Sequence, residues 1–327
     1  MKIAYYLPAT IVSNSDLEKE FPDWNAAKIE DKIGVRERHI SSKDETALDM
    51  AFQVSKKILA EVDPTIIDFV LLCTQSPDYF LPTSACILQD MLGLSKHCGA
   101  LDFNLGCSGY IYGLAIAKGL LSTGIAHNIL FLTSETYSKH THPLDKANRS
   151  IFGDGATATI LNTQDIEYIG EFELGTDGSG KRNLIVEAGG LRMAFDKTIK
   201  DESLLNGTFQ SPNYLYMNGP EIFNFTIEQI PGVVESVLNK NKIDLEHIDY
   251  FIFHQANKYM LDYLRKKLKI PVDKFHNNIL FTGNTVSSTI PIAIKDAMDE
   301  NKIKSGSRLL LVGFGVGYSW GAVTVII

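Results

Sequence analysis

The chain has 327 residues, 45% of them apolar and 21% charged, with a formal net charge of -8. This is ordinary globular composition, long enough for two domains or one fused double domain. The acidic balance, with no basic run interleaved with aromatics, argues against nucleic acid. No stretch approaches the ~20 apolar residues of a membrane span, and the opening Met1-Lys2-Ile3-Ala4-Tyr5-Tyr6-Leu7-Pro8 is too short an apolar run for a signal peptide, so a cytoplasmic protein is expected.

In chain order, residues 46–60 carry Leu48, Ala51, Phe52, Ser55 and Leu59 on one face of a helix, and 62–72 follow as a turn, an Asp and a wholly apolar strand. Residues 99–104 read as a strand and 108–121 as an apolar, small-residue helix. Apolar strands are expected at 128–133 and 155–160. The stretch 170–215 is rich in Gly, Asn and Asp and reads as loops and short hairpins.

A helix at 223–238 leads into 243–253, which aligns without gaps on 62–72. Apolar strands then recur at 308–312 and 321–326, the latter opening on Gly-Ala like the strand at 155. Strands without polar alternation suit a parallel sheet covered on both faces, and the repeat implies two homologous α/β halves packed on each other. The expected division is 1–165 for the first half, 166–215 for a loop-rich connection and 216–327 for the second half.

Cys73, Cys86, Cys98 and Cys107 form no CxxC pair and lack the density of a disulfide scaffold, so reduced thiols are expected. Cys107 alone stands at a strand-to-helix junction, flanked by Gly106 and Gly109. The amino end of a helix favours thiolate over thiol, and the glycines let a substrate approach the backbone; simple packing is the commoner role of a buried Cys. His254 ends the repeated strand and opens the polar run Gln255-Ala256-Asn257, at the strand end where open α/β sheets place their chemistry. Asn284, after Gly283, reads equally as turn chemistry. The run 313–321 is glycine-rich but lacks a P-loop ending, and fits a turn that offers backbone amides to an oxyanion. A thiol, an imidazole and a carboxamide together suit acyl groups carried as thioesters. His140 and His142 lack neighbouring metal ligands and read as surface loop residues, so no metal is expected.

Several ordered motifs then carry a resemblance that runs nearly end to end. Gly34-Val35-Arg36-Glu37-Arg38-His39-Ile40, Cys107-Ser108-Gly109-Tyr110, Phe152-Gly153-Asp154-Gly155-Ala156, His254-Gln255-Ala256-Asn257, Gly283-Asn284-Thr285 and Tyr318-Ser319-Trp320-Gly321 make the chain resemble β-ketoacyl-acyl-carrier-protein synthase III, a thiolase-superfamily condensing enzyme. The resemblance implies an α/β thiolase-like duplicated fold, its halves layered αβαβα, and no cofactor. It implies an acyl-CoA primer loaded on Cys107 and condensed with malonyl-acyl-carrier protein to a 3-oxoacyl product. His254 and Asn284 would stabilise the developing enolate, and the amides of Cys107 and Val316 would form an oxyanion hole. Lys32 and Lys146 would meet the CoA nucleotide, Asn257 the pantetheine, and Leu81 the end of the primer pocket across a homodimer interface.

The departures are Val316 in place of a glycine, Leu81 in place of a bulky aromatic, lysines in place of arginines at 32 and 146, and Asn224 and Tyr259 where basic residues are usual. They leave fatty-acid initiation and a specialised lipid, secondary-metabolite or polysaccharide-acylation pathway both open. An acyltransferase passing the acyl group from Cys107 to an alcohol or amine without decarboxylation shares the same loading machinery and remains the main alternative. A peptidase-like hydrolase would need an open cleft. A hydroxymethylglutaryl-CoA-synthase-like reaction would need an acid, for which Glu135 is the candidate; it reads instead as a structural residue at a strand end.

Overall fold

An aspartate ahead of an apolar strand occurs twice in the sequence, and both copies perform the same task. Asp68 accepts hydrogen bonds from the amides of His127 and Asn128, at 2.8 and 2.9 Å. Asp249 accepts from the amide of Arg308 at 2.8 Å. Each carboxylate thereby fixes the start of the neighbouring parallel strand. The structure is a computed structural model that describes residues 1–203 and 209–327.

The first sheet contains β1 (Lys2–Tyr6), β2 (Phe69–Cys73), β3 (Gly99–Phe103), β4 (Asn128–Glu135) and β5 (Gly155–Asn162), in the spatial order β1-β5-β4-β2-β3. The second contains β6 (Ile169–Thr176), β7 (Tyr250–Phe253), β8 (Arg308–Gly315) and β9 (Ser319–Ile326), ordered β7-β8-β9-β6. In both, a parallel pair (β2 with β4, β7 with β8) continues into antiparallel neighbours (β5 and β1, β9 and β6). The duplication expected from the aligned segments is therefore one of topology as well as sequence, with β3 as the extra edge strand of the first half.

One expectation is corrected here. The connection expected at 166–215 opens with β6, which pairs along β9 as the edge of the second sheet. Its sequence, Ile-Gly-Glu-Phe-Glu-Leu-Gly-Thr, is polar and glycine-bearing because the strand is half exposed, so it carries no buried-strand signal.

Helices α1 (Ala47–Leu59) and α2 (Ser84–Met91) cover the outer face of the first sheet, with Met50, Ala51, Val54 and Leu88 in its core. Helix α3 (Gly109–Ser122) lies between the sheets, and its Tyr110, Ile111 and Leu114 join Phe131 of β4 and Leu311 and Val323 of the second sheet in one core. Helix α4 (Gly219–Asn241) and α5 (Lys258–Lys267) cover the outer face of the second sheet, and α6 (Thr289–Asp299) shares the middle layer with α3. The layers run helix, sheet, helix, sheet, helix. A helix packed on two sheets has no polar face to spare, which explains the uniformly apolar composition of α3.

Gly113 of α3 faces the ring of Phe131, which is itself 1% exposed and stacked on Tyr110 at 5.2 Å between centroids. A methyl group there meets a ring that has nowhere to go. Gly113→Ala is expected to destabilise the protein by about 1–3 kcal/mol, the range for overpacking, as measured by urea unfolding; an unchanged midpoint would show that the middle layer is loosely packed.

Candidate active site

The two halves meet where their strands end. Cys107 lies between β3 and α3, and the hydroxyls of Ser108 and Ser319, 2.6 Å apart, tie this turn to the start of β9. Gly315 ends β8 directly against the thiol: a Cβ there would lie 2.7 Å from Cys107 Cβ and 2.8 Å from its Sγ. Only glycine permits that approach. The backbone amides of Cys107 and Val316 lie on the side of the sulfur and favour its thiolate.

His254 follows β7, and its amide extends the ladder to Val312 O at 2.8 Å. Its ring stands edge-on to Phe314, 5.7 Å away, and Nδ1 is 2.7 Å from Thr289 Oγ1. Asn284 is clamped at its backbone, donating to Ile151 O at 2.8 Å and accepting from Gly153 N at 3.0 Å. Its Oδ1 accepts from the amide of Val286 at 2.9 Å, which turns Nδ2 toward His254 Nε2 at 3.4 Å. Val286 achieves this at φ 58°, a left-handed conformation that costs a β-branched residue about 1–3 kcal/mol.

Cys107, His254 and Asn284 line one cavity of about 50 Å³, walled by Phe152, Leu184, Met217, Ile222 and Met260. That is room for roughly one or two water molecules. Asn257 belongs to this cavity and also to a wider one of about 700 Å³, where it is joined by Lys32, Lys258, Tyr259 and Lys266. Its side chain also caps α5, accepting from Met260 N at 2.8 Å. Lys146 lines neither; it is paired with Asp23 at 2.6 Å and lies over the ring of Phe21. Leu81 is 82% exposed, beside the exposed Tyr79 and Phe80, and does not reach the cavity of its own chain.

Burial pushes the Cys107 thiol up to about 12, aided by the charge of Glu135 and opposed by the two amides. The thiolate expected from the helix position is therefore not the resting form: loss of water outweighs the amides. Burial likewise pushes His254 down to about 3, so the imidazole is neutral through the physiological range. Glu135 is fully buried and pushed up to about 8 by burial, while accepting from Gln75 N at 3.0 Å, Ser76 Oγ at 3.3 Å and Ser287 Oγ at 2.8 Å. It is structural in the sense that it joins two loops, and it also acts on the thiol electrostatically.

His142, expected on a surface loop, is buried: Nε2 bonds Asp201 at 3.0 Å and the ring stacks on Phe209 at 4.4 Å, because segments of the connection fold back over it. Among the described residues, no three His, Cys, Asp or Glu side chains converge as a metal site would require.

A family model described as 3-oxoacyl-[acyl-carrier-protein (ACP)] synthase III matches residues 101–178, and its C-terminal counterpart matches 238–327. The beta-ketoacyl-[acyl-carrier-protein] synthase III of Clostridium perfringens is 38% identical over 323 residues, covering 98% of this chain and 96% of that protein. The chain belongs to the 3-oxoacyl-[acyl-carrier-protein] synthase III family. A crystal structure of a 3-oxoacyl-(acyl-carrier-protein) synthase III superposes with a TM-score of 0.98 at 47% identity, covering 100% of this chain and 98% of that one. The 3-oxoacyl-(acyl-carrier protein) synthase of Burkholderia xenovorans LB400 gives 0.90 at 34%, covering 99% and 92%.

For a synthase III, the informative omission of sequence reasoning is Thr289, the partner of His254. A threonine at a helix start carries no signal of what it faces. The apolar wall from Leu184 and Met217 was also invisible, since Leu184 lies in the stretch read as connection and Met217 just beyond its end.

In the free synthase, alkylation of Cys107 by iodoacetamide is expected to rise about tenfold per pH unit without a plateau below pH 10, as a thiol near 12 requires. Glu135→Gln removes a charge that forms only above its value of about 8. The variant is expected to label faster than wild type above pH 8 and equally below it. A plateau near pH 7 would show a thiolate stabilised by means other than these.

Proposed function

We propose that the protein catalyses decarboxylative Claisen condensation of an acyl-CoA primer, held as acyl-Cys107, with malonyl-acyl-carrier protein. The observation that carries this reading is the meeting of two donor sets at one buried cavity: the Cys107 and Val316 amides beside the sulfur, and Asn284 with His254. In loading, sulfur attacks the thioester carbonyl, the thiol proton passes through His254 to the departing CoA thiolate, and the amides hold the oxyanion. In condensation, the malonyl carboxylate leaves as CO₂ and its electron pair forms an enolate facing Asn284 and His254. The enolate carbon attacks the acyl carbonyl and the Cys107 thiolate leaves, taking a proton from solvent. Plain acyl transfer to an alcohol or amine would use the first donor set and His254 and leave Asn284 without a task.

The wide cavity sharing Asn257 with the catalytic one serves as the entrance. Its lysines, continued by Lys267 and Lys269 on and after α5, face an acidic carrier protein favourably. The edge strand β3, half exposed, and the apolar loop of Tyr79, Phe80 and Leu81 are the surfaces by which a homodimer would form about a two-fold axis. Leu81 would then reach the primer pocket of the second copy.

Intact-protein mass spectrometry after incubation with a panel of acyl-CoAs tests the reading directly. Wild type and the Cys73→Ala, Cys86→Ala and Cys98→Ala variants are expected to retain an acyl group, and Cys107→Ala to retain none. Asn284→Ala is expected to load normally yet lose malonyl decarboxylation and condensation by ~100-fold or more, as for other lost oxyanion donors. Equal loss of loading would favour the acyltransferase reading.

For chain length, each methylene buried beyond acetyl is worth ~0.8 kcal/mol. Leu81→Phe is expected to shift the ranking of primers toward acetyl-CoA in the same assay; an unchanged ranking would remove Leu81 from the pocket.

A further inference from the structure

Thr289 is the first residue of α6, and its side chain is held between two partners. Its Oγ1 lies 2.7 Å from His254 Nδ1 and 3.0 Å from Val286 O. A threonine hydroxyl has one hydrogen to donate, so it serves one of these acceptors at a time. When the hydroxyl donates to Val286 O, it accepts from Nδ1–H, and Nε2 is left as a bare acceptor facing Asn284 Nδ2. When it donates to Nδ1, the ring proton is on Nε2 and points into the cavity as a donor.

The two half-reactions need opposite arrangements. Loading needs a bare Nε2 to take the thiol proton, since no other basic side chain lines the cavity among the described residues. Condensation needs Nε2–H to donate to the enolate oxygen beside Asn284. We propose that Thr289 is a positioning residue whose hydroxyl sets the tautomer of His254 and so allows one imidazole to serve both steps. The inference rests on the condensing reading of the site.

Val286 supports the arrangement from the other side. Its left-handed backbone, φ 58°, directs its amide to Asn284 Oδ1 and its carbonyl to Thr289, so one strained residue orients both members of the enolate site. The residue is fully buried.

The test compares Thr289→Val with Thr289→Ser in the full-length protein. Valine keeps the volume but removes the hydroxyl, leaving Val286 O, which that hydroxyl had bonded, as the acceptor open to Nδ1–H. The ring is then fixed as Nδ1–H. Thr289→Val is expected to load an acyl group on Cys107 within about threefold of wild type, by mass spectrometry, while malonyl decarboxylation and condensation fall about 100-fold, the loss typical of one oxyanion donor. Thr289→Ser is expected to retain both.

In protein labelled with ¹⁵N-histidine, the His254 resonances of wild type are expected to average the two tautomers, and those of Thr289→Val to report Nδ1–H alone. Equal loss of loading and condensation in Thr289→Val, condensation at the wild-type rate, or a Thr289→Ser variant as impaired as Thr289→Val would each overturn the proposal. Should Thr289→Val not fold, the wild-type spectrum decides: a single tautomer overturns the proposal and an averaged pair supports it. Absence of acylation on wild-type Cys107 would instead overturn the condensing reading and leave the tautomer comparison standing.

Discussion

The backbone of β8 at Gly315 touches the sulfur of Cys107, and the rest of the site follows from that contact. Because Gly315 has no side chain, the second half-fold closes on Cys107 of the first. The closure brings the Val316 amide to the sulfur and removes water from around it. It also makes the site a joint product of both halves: one supplies the thiol and its own amide, and the other supplies the Val316 amide, His254 and Asn284.

Dryness without a counter-charge then decides the protonation states. The thiol is raised, the imidazole lowered and Glu135 raised, each chiefly by burial. A site that is neutral at rest develops charge only when a substrate brings it in, and fixed dipoles meet that charge without reorganising. A resting thiolate–imidazolium pair is disfavoured by the burial of both groups. This is the physical contrast with hydrolases that use the same side chains in an open cleft.

Much of the architecture was legible because the chain states it twice. The Asp-plus-apolar-strand segments aligned without gaps, and their shared role in seating a parallel neighbour gives a reason for the identity of Asp68 and Asp249. The strand-to-helix position of Cys107 and the strand-end position of His254 were readable from composition, and the ordered motifs brought Asn284 to the same place. What the sequence concealed has a common cause. Strand β6 is half exposed and lacks a buried pattern, His142 is covered by a segment distant in sequence, and Thr289 acts through a single hydroxyl whose partners are 3 and 35 residues away. The sign of the Cys107 shift was misjudged because the helix position is local and visible, whereas burial is a property of the whole assembly of layers.

The charges around the wide cavity and its neighbouring helices sort into two kinds. On the helices Asn14–Glu20 and Ala26–Ile33 and their surroundings, Lys146, Arg149 and Arg36 are each occupied by a carboxylate, Asp23, Glu20 and Glu30. Exposed pairs of this kind add little stability, but they cancel the local field. The lysines of α5 have no such partners among the described residues. A negatively charged partner approaching the wide cavity would therefore meet the lysines of α5 and, from the facing helix, Lys32, which lines the same cavity. Lys146 could bind a nucleotide phosphate only by exchanging it for Asp23.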